Sequence, residues 1–173
     1  MMLKIEILSR PTKQDLEDIN ALLPQIAKQP HFLTLKELSM IIGQKSCRLV
    51  VARRKVNTKF MIVGMATVTL IYIPTGLIAV VEDVVVDENF RGLGIGKKLT
   101  QKLITIASER KAKHISLFTN PSRKAANAMY QKMGFFKKET NYYRINLYLP
   151  KPASQKEIKR LITKREFLKN VKR

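Results

Sequence analysis

Residues 60–81, FMIVGMATVTLIYIPTGLIAVV, carry no charged side chain in a protein whose formal net charge is +20. A stretch of that length and apolarity has to leave water, in a bilayer or in a protein core. Its composition favours the core. Side chains branched at Cβ are frequent, and Pro74, Thr75 and Gly76 interrupt the run with a turn signal. The expectation is two buried strands, 60–73 and 77–87, joined by a short loop, and no membrane span. The opening MMLKIEILSRP lacks the apolar segment and cleavage site of a signal peptide. Cys47 is the single cysteine, which excludes an internal disulfide and fits a cytoplasmic setting. His31, His114 and Cys47 offer no zinc set, so no metal site is expected.

Around that run, strands alternate with helices. LKIEIL opens as a strand, and Leu16, Ile19, Leu22, Leu23 and Ile26 recur at helical spacing over 15–28. A short helix over 35–43 begins behind Thr34, whose hydroxyl can cap it. CRLVVARR reads as a strand. Ile95, Leu99, Leu103, Ile106 and Ala107 form one face of an amphipathic helix whose lysines lie toward solvent. HISLFT is a further strand. NPSRKAANAMYQKMGF reads as a helix with Pro121 at its start and Gly134 at its end. FFKKE and YYRINLYL read as a closing pair of strands.

The segment EDVVVDENFRGLGIGKK, residues 82–98, joins a strand to a helix through Gly92, Gly94 and Gly96. It is neither of the familiar phosphate loops. A Walker loop needs glycine where Arg91 stands and Ser/Thr where Lys98 stands. A Rossmann turn needs G-x-G-x-x-G, and here the spacing is G-x-G-x-G. What remains is a loop of unhindered N–H groups ahead of a helix N-terminus, a geometry suited to phosphate.

Two motifs in order sharpen this. R-x-x-G-x-G at Arg91, Gly94 and Gly96 follows an acid-bearing strand, and A-x-x-x-Y-x-x-x-G-F falls at Ala126, Tyr130, Gly134 and Phe135. With these motifs the chain resembles the GNAT superfamily of acyl-CoA-dependent N-acetyltransferases, in element order over residues 3–149 and specifically over 80–135. The resemblance implies an α/β GNAT fold, a mixed, mostly antiparallel sheet of about seven strands flanked by helices. It implies acetyl-CoA as cosubstrate, with pantetheine beside Val84, Val85 and Val86 at a bulged strand edge and pyrophosphate on the N–H groups of Arg91, Gly92, Leu93, Gly94, Ile95, Gly96 and Lys97. Asn127 matches a position that contacts pantetheine in many relatives.

By the same resemblance Tyr130 is the candidate acid for the departing thiolate, its alternative being a packing tyrosine. Glu82 is the candidate base or amine anchor, with Asp83 or a water chain as alternatives; strand alternation puts these two acids on opposite faces unless a bulge intervenes. His31 lies in a region that shapes the acceptor pocket in relatives and reads more simply as a surface histidine. Cys47, far from the motifs, reads as a strand residue.

The expected activity is acetyl transfer to a primary amine of a small molecule, peptide or protein by direct attack in a ternary complex. The other reading is an inactive GNAT-like basic adaptor for RNA or ribosomes. From residue 89 to residue 138 there are twelve Lys/Arg and one acid, Glu109, so the glycine loop lies in a positive field. Residues 150–173 form a separate basic extension after the 1–149 domain. The spacing of Ile158, Leu161, Ile162, Phe167 and Leu168 predicts a basic amphipathic helix there, read as docking on the domain ahead of serving as a nucleic-acid arm; weak nucleic-acid or ribosome association through the basic surface is a further expectation. Neither the acceptor nor the oligomeric state is legible.

Overall fold

The computed structural model describes residues 2–56, 59–145 and 147. These fall into two compact units, divided between Leu117 and Phe118. In the first unit the order is β1 (Leu3–Ile7), α1 (Lys13–Leu22), α2 (Leu35–Gly43), β2 (Cys47–Val56), β3 (Lys59–Ile73), β4 (Gly76–Val86), α3 (Ile95–Glu109) and β5 (Ile115–Leu117). The strands form one mixed sheet in the order β1-β2-β3-β4-β5, antiparallel except for the parallel β4–β5 pair. The uncharged run is the β3–β4 hairpin, its turn at Pro74 and Thr75. No helix among the described residues is long and apolar enough to cross a membrane.

Alternation along the strands makes two cores. On one face Val50, Ala52, Ala66, Val68, Ala79 and Val81 pack with Ile95, Leu99 and Leu103 of α3. On the other, Leu49, Val51, Met65 and Val85 pack with Ile19 and Leu22 of α1 and Leu38 of α2. Burial of whole aliphatic side chains, each worth about 1.5–3 kcal/mol against exposure, drives both layers.

Polar bonds fix where α1 and α2 sit. Thr12 and Asp15 form a capping box at the start of α1, and Thr34 and Glu37 form another at the start of α2. Asp15 also accepts from Arg53 Nη1 at 2.5 Å while Glu6 accepts from Arg53 Nε at 2.6 Å, tying α1 to β1 and β2. Asp18 accepts the Ile62 N–H at 3.0 Å, tying α1 to β3. Asn20 makes a fork to the backbone of Leu33, donating to its carbonyl at 2.9 Å and accepting from its N–H at 2.8 Å. Pro24 cannot supply an interior helical N–H. Accordingly α1 ends at Leu22 and a 3-10 turn covers Leu23–Gln25, so the helix is shorter than the predicted 15–28.

The second unit, described over 118–145 and at 147, holds α4 (Lys124–Lys132). The helix starts after Pro121 because the Asn120 side chain accepts the Ser122 N–H at 2.9 Å and the Asn120 carbonyl accepts the Arg123 N–H at 3.0 Å, which builds a turn first. Gly134, at φ 92°, ends it as expected, with the Phe135 N–H returning to Tyr130 O.

The described residues contain five strands, fewer than the seven expected. FFKKE, residues 135–139, is not a strand. The Phe135 backbone is spent on the helix end and its ring meets Tyr130 at 5.7 Å, while Phe136 is 82% exposed, so no ladder forms. In YYRINLYL the described positions 142–145 and 147 carry no strand; the rest of it, the domain end at 149 and the predicted basic helix lie outside the described residues.

Gly64 is where the layers meet most tightly. A β-carbon there would stand 2.9 Å from Val85 O and 3.3 Å from Leu99 Cδ1. Gly64→Ala is therefore expected to destabilise the fold by about 1–3 kcal/mol, as overpacking does. Gly43→Ala, with nothing within 4 Å, serves as the control. Thermal unfolding of both variants checks this; equal melting temperatures would mean the sheet yields freely at Gly64.

Candidate active site

β4 is irregular where its acids lie. Its pairing with β3 runs from Ile73↔Gly76 to Thr67↔Glu82 and resumes at Met65↔Val85, so Asp83 and Val84 together oppose Ala66. Asp83 takes φ 52°, a left-handed conformation that aspartate tolerates better than most residues. This is a β-bulge.

The bulge changes the face count. Val81, Val84 and Val86 all pack with the α3-side core, and Val85 packs on the α1/α2 side. Two residues, Glu82 and Asp83, thus occupy the interval where one would fit. Glu82 falls on the α1/α2 face by alternation. The Asp83 charge contributes to the raised carboxyl of Glu82 and, more weakly, to the raised thiol of Cys47. The bulge is the irregularity that interrupts simple alternation at these two acids.

Desolvation raises the carboxyl of Asp83. It also raises Glu82, with the Asp83 charge as the second cause. Cys47 is buried in β2 and its thiol is pushed up chiefly by burial, the direction opposite to that of an activated thiolate. His31 is exposed at the start of α2, where its Nε2 meets Glu37 Oε1 at 2.9 Å. With Thr34, that contact brings the exposed Glu37 carboxyl down to about 2.

The outer edge of β4 is open beyond the bulge. Its parallel ladder with β5 covers only Ala79–Val81, and no strand among the described residues takes the edge at Val84, Val85 and Val86. Part of that edge is already used, because Arg91 Nε donates to Val86 O at 3.1 Å.

Past a short 3-10 turn at Glu88–Phe90, the chain reaches the glycine loop. Gly92 and Gly94 adopt φ 78° and 71°, and a β-carbon at either would meet nothing within 4 Å. These glycines are required by backbone conformation, and the space beside them is free of protein. Gly94 caps α3, whose first bond runs from the Lys98 N–H to Gly94 O. The N–H groups of Ile95, Gly96 and Lys97 therefore have no helical acceptor. Leu93, Lys97 and Lys98 are exposed at the rim. Arg91 is not a free charge on this loop; its guanidinium is held by Val86 O and, at 2.6 Å, by Gln25 Oε1.

In the second unit Tyr130 is buried, and burial raises its phenol while the Arg123 charge works against this. Asn127 Nδ2 donates at 3.0 Å to both Asn120 O and Arg123 O, so its amide braces the turn that precedes α4.

The family model for the acetyltransferase (GNAT) family matches residues 14–135. The chain belongs to this family. Members use acetyl-CoA as cosubstrate, and the observed α/β layout is the GNAT fold. Among curated relatives, an uncharacterized N-acetyltransferase of Pyropia yezoensis is 31% identical over 105 residues, 61% of this chain and 52% of the relative. The chain thus spans about half the length of that relative. A Trypanosoma brucei acetyltransferase superposes with TM-score 0.68 at 24% identity, covering 84% of this chain and all of that one (100%). The structure of AAC(6')-Iy with a bisubstrate CoA analogue superposes with TM-score 0.67 at 18% identity, over 84% of this chain.

Because the folded Asp83 carboxyl titrates above the unfolded value of about 3.9, its ionised form disfavours folding, and that penalty is absent once the pH lies below the unfolded value. Asp83→Asn keeps the left-handed backbone accessible and removes the charge. Asp83 is exposed, so water screens much of this penalty; we expect a slightly higher melting temperature than wild type at pH 7 and no difference below about pH 4. A gain of equal size at both pH values would place its origin elsewhere than in ionisation.

Proposed function

We propose that this protein transfers the acetyl group of acetyl-CoA to a primary amine of a small molecule or peptide, by direct attack in a ternary complex. The observation that carries this reading is one continuous run of available backbone. An open strand edge beyond the bulge leads into a loop where β-carbons at Gly92 and Gly94 would meet no protein atom within 4 Å, and on to a helix start where the N–H groups of Ile95, Gly96 and Lys97 have no helical acceptor. An edge of amide donors and acceptors suits the amides of pantetheine. A helix N-terminus suits pyrophosphate. Lys97, Lys98 and Lys102 beside it place the positive field of the chain at the cofactor's phosphates. The cosubstrate supplies the activated acetyl carbon and a thiol leaving group.

The residues of the chain handle the protons. A primary ammonium must lose one before its lone pair can attack. Glu82, exposed on β4 with its carboxyl raised by desolvation and then by the Asp83 charge, is the assigned acceptor, directly or through water. When the C–N bond forms and the C–S bond breaks, the thiolate needs stabilisation. By its match to the family motif, Tyr130 is the residue assigned to donate a hydrogen bond to it. Its raised phenol is a weaker acid than an ordinary one at about 10, and a typical thiol titrates at about 8.5, so donation of a hydrogen bond suits it better than full ionisation.

Gly94→Asp tests the cradle: the left-handed backbone is one aspartate can adopt, while its carboxylate meets the phosphates. Calorimetric titration is expected to show acetyl-CoA affinity weakened at least about tenfold with the ligand-free melting temperature held. Undiminished affinity in the folded variant would remove the loop from the cofactor site.

For Tyr130→Phe the expected loss in single-turnover rate is on the order of 10²–10⁴-fold at saturating acetyl-CoA, with its dissociation constant nearly unchanged. The ring is retained, so a rate within about twofold of wild type across pH would leave Tyr130 a packing residue.

A further inference from the structure

Gln25 stands outside both family motifs, in the 3-10 turn after α1, yet it touches the end of β4 through Arg91. The guanidinium of Arg91 bridges the two: Nε donates to Val86 O at 3.1 Å and Nη2 donates to Gln25 Oε1 at 2.6 Å. Arginine has only donors, so the carboxamide must turn its oxygen to Arg91, and this settles which end is nitrogen. The Nε2 group is then left over. It is buried, and it has no hydrogen-bond partner among the described residues. A buried amide N–H without an acceptor is costly, and such groups in folded proteins call for a partner.

That donor lies across one guanidinium from Val86, where the open edge of β4 hands over to the glycine loop. We infer that Gln25 is a cofactor-binding residue, whose Nε2 donates to an acceptor oxygen of acyl-CoA at the junction of pantetheine and pyrophosphate, and that Arg91 is the positioning residue that aims it. This deepens the proposed function and rests on its assignment of acyl-CoA to β4 and the glycine loop. It also gives Arg91 a role through its side chain: the motif arginine couples the turn after α1 to the end of β4.

Two variants separate donor from brace. Gln25→Glu keeps an oxygen for Arg91 and removes the N–H; Gln25→Leu removes both. Calorimetric titration of the full chain with CoA, acetyl-CoA and adenosine 3',5'-bisphosphate is the measurement, alongside ligand-free melting temperatures. Both variants are expected to bind CoA and acetyl-CoA about tenfold more weakly than wild type, the size of one lost hydrogen bond. A matching loss for the bisphosphate would put the accepting oxygen on the phosphate side, and its absence would put it on the pantetheine side. If Gln25→Leu does not fold, Gln25→Glu decides alone. CoA binding by Gln25→Glu at wild-type strength overturns the assignment while leaving the cofactor reading intact. Wild-type protein that binds neither CoA nor acetyl-CoA overturns both.

Discussion

β4 pairs with β3 on both sides of its bulge and with β5 only as far as Val81. A backbone edge stripped of its neighbour must find another hydrogen-bonding partner, because unpaired N–H and C=O groups are costly wherever water is excluded. Everything proposed for this protein follows from that early parting. The bulge at Asp83 turns the remaining strand so that Val84 and Val86 still seat on α3, and the glycine loop continues from its end to the start of the same helix. The open edge and the open helix start are thereby placed in series by a short piece of chain.

The two faces of the sheet are held by different physics. On the α3 face, aliphatic packing suffices, and Leu99 and Leu103 are wholly buried. On the other face, α1 is bolted through charge. Arg53 is shared between Asp15 and Glu6, whose carboxyls are both held below their usual range. For Asp15 the opposing desolvation is itself large, and the Arg53 and Thr12 bonds outweigh it. Charge-assisted bonds of this kind are directional where packing is not. They fix the register of α1 over the sheet, and so the place of Gln25 at its end.

What could be read in advance was local. Thr34 as a cap, Gly134 as a stop and the 3.6-residue periodicity of α3 depend on neighbours a turn away. The glycine loop depends on backbone conformations that only a few residue types accept. The bulge is another matter: nothing in EDVVV marks Asp83 for a left-handed conformation, since it results from keeping Val81, Val84 and Val86 against one helix. The strand expected at FFKKE failed because a half-apolar pattern forms a ladder only where an edge receives it. The Arg91–Gln25 bond joins residues 66 apart in the chain, a separation over which residue spacing carries no information.

The loop between α1 and α2 is closed off at both ends. Pro24 and the turn Leu23–Gln25 finish one side, and the Asn20 fork to Leu33 with the Thr34–Glu37 box finishes the other. What lies between, residues 26–32, is therefore an insert in an already closed ring. Doubling the length of such a loop costs only about 0.6 kcal/mol in closure entropy. Descendants of this chain can thus lengthen or rewrite the segment while the sheet, the helix caps and the Arg91 contact stay as they are. Novelty in what the protein recognises has a place to accumulate that inheritance of the fold does not oppose.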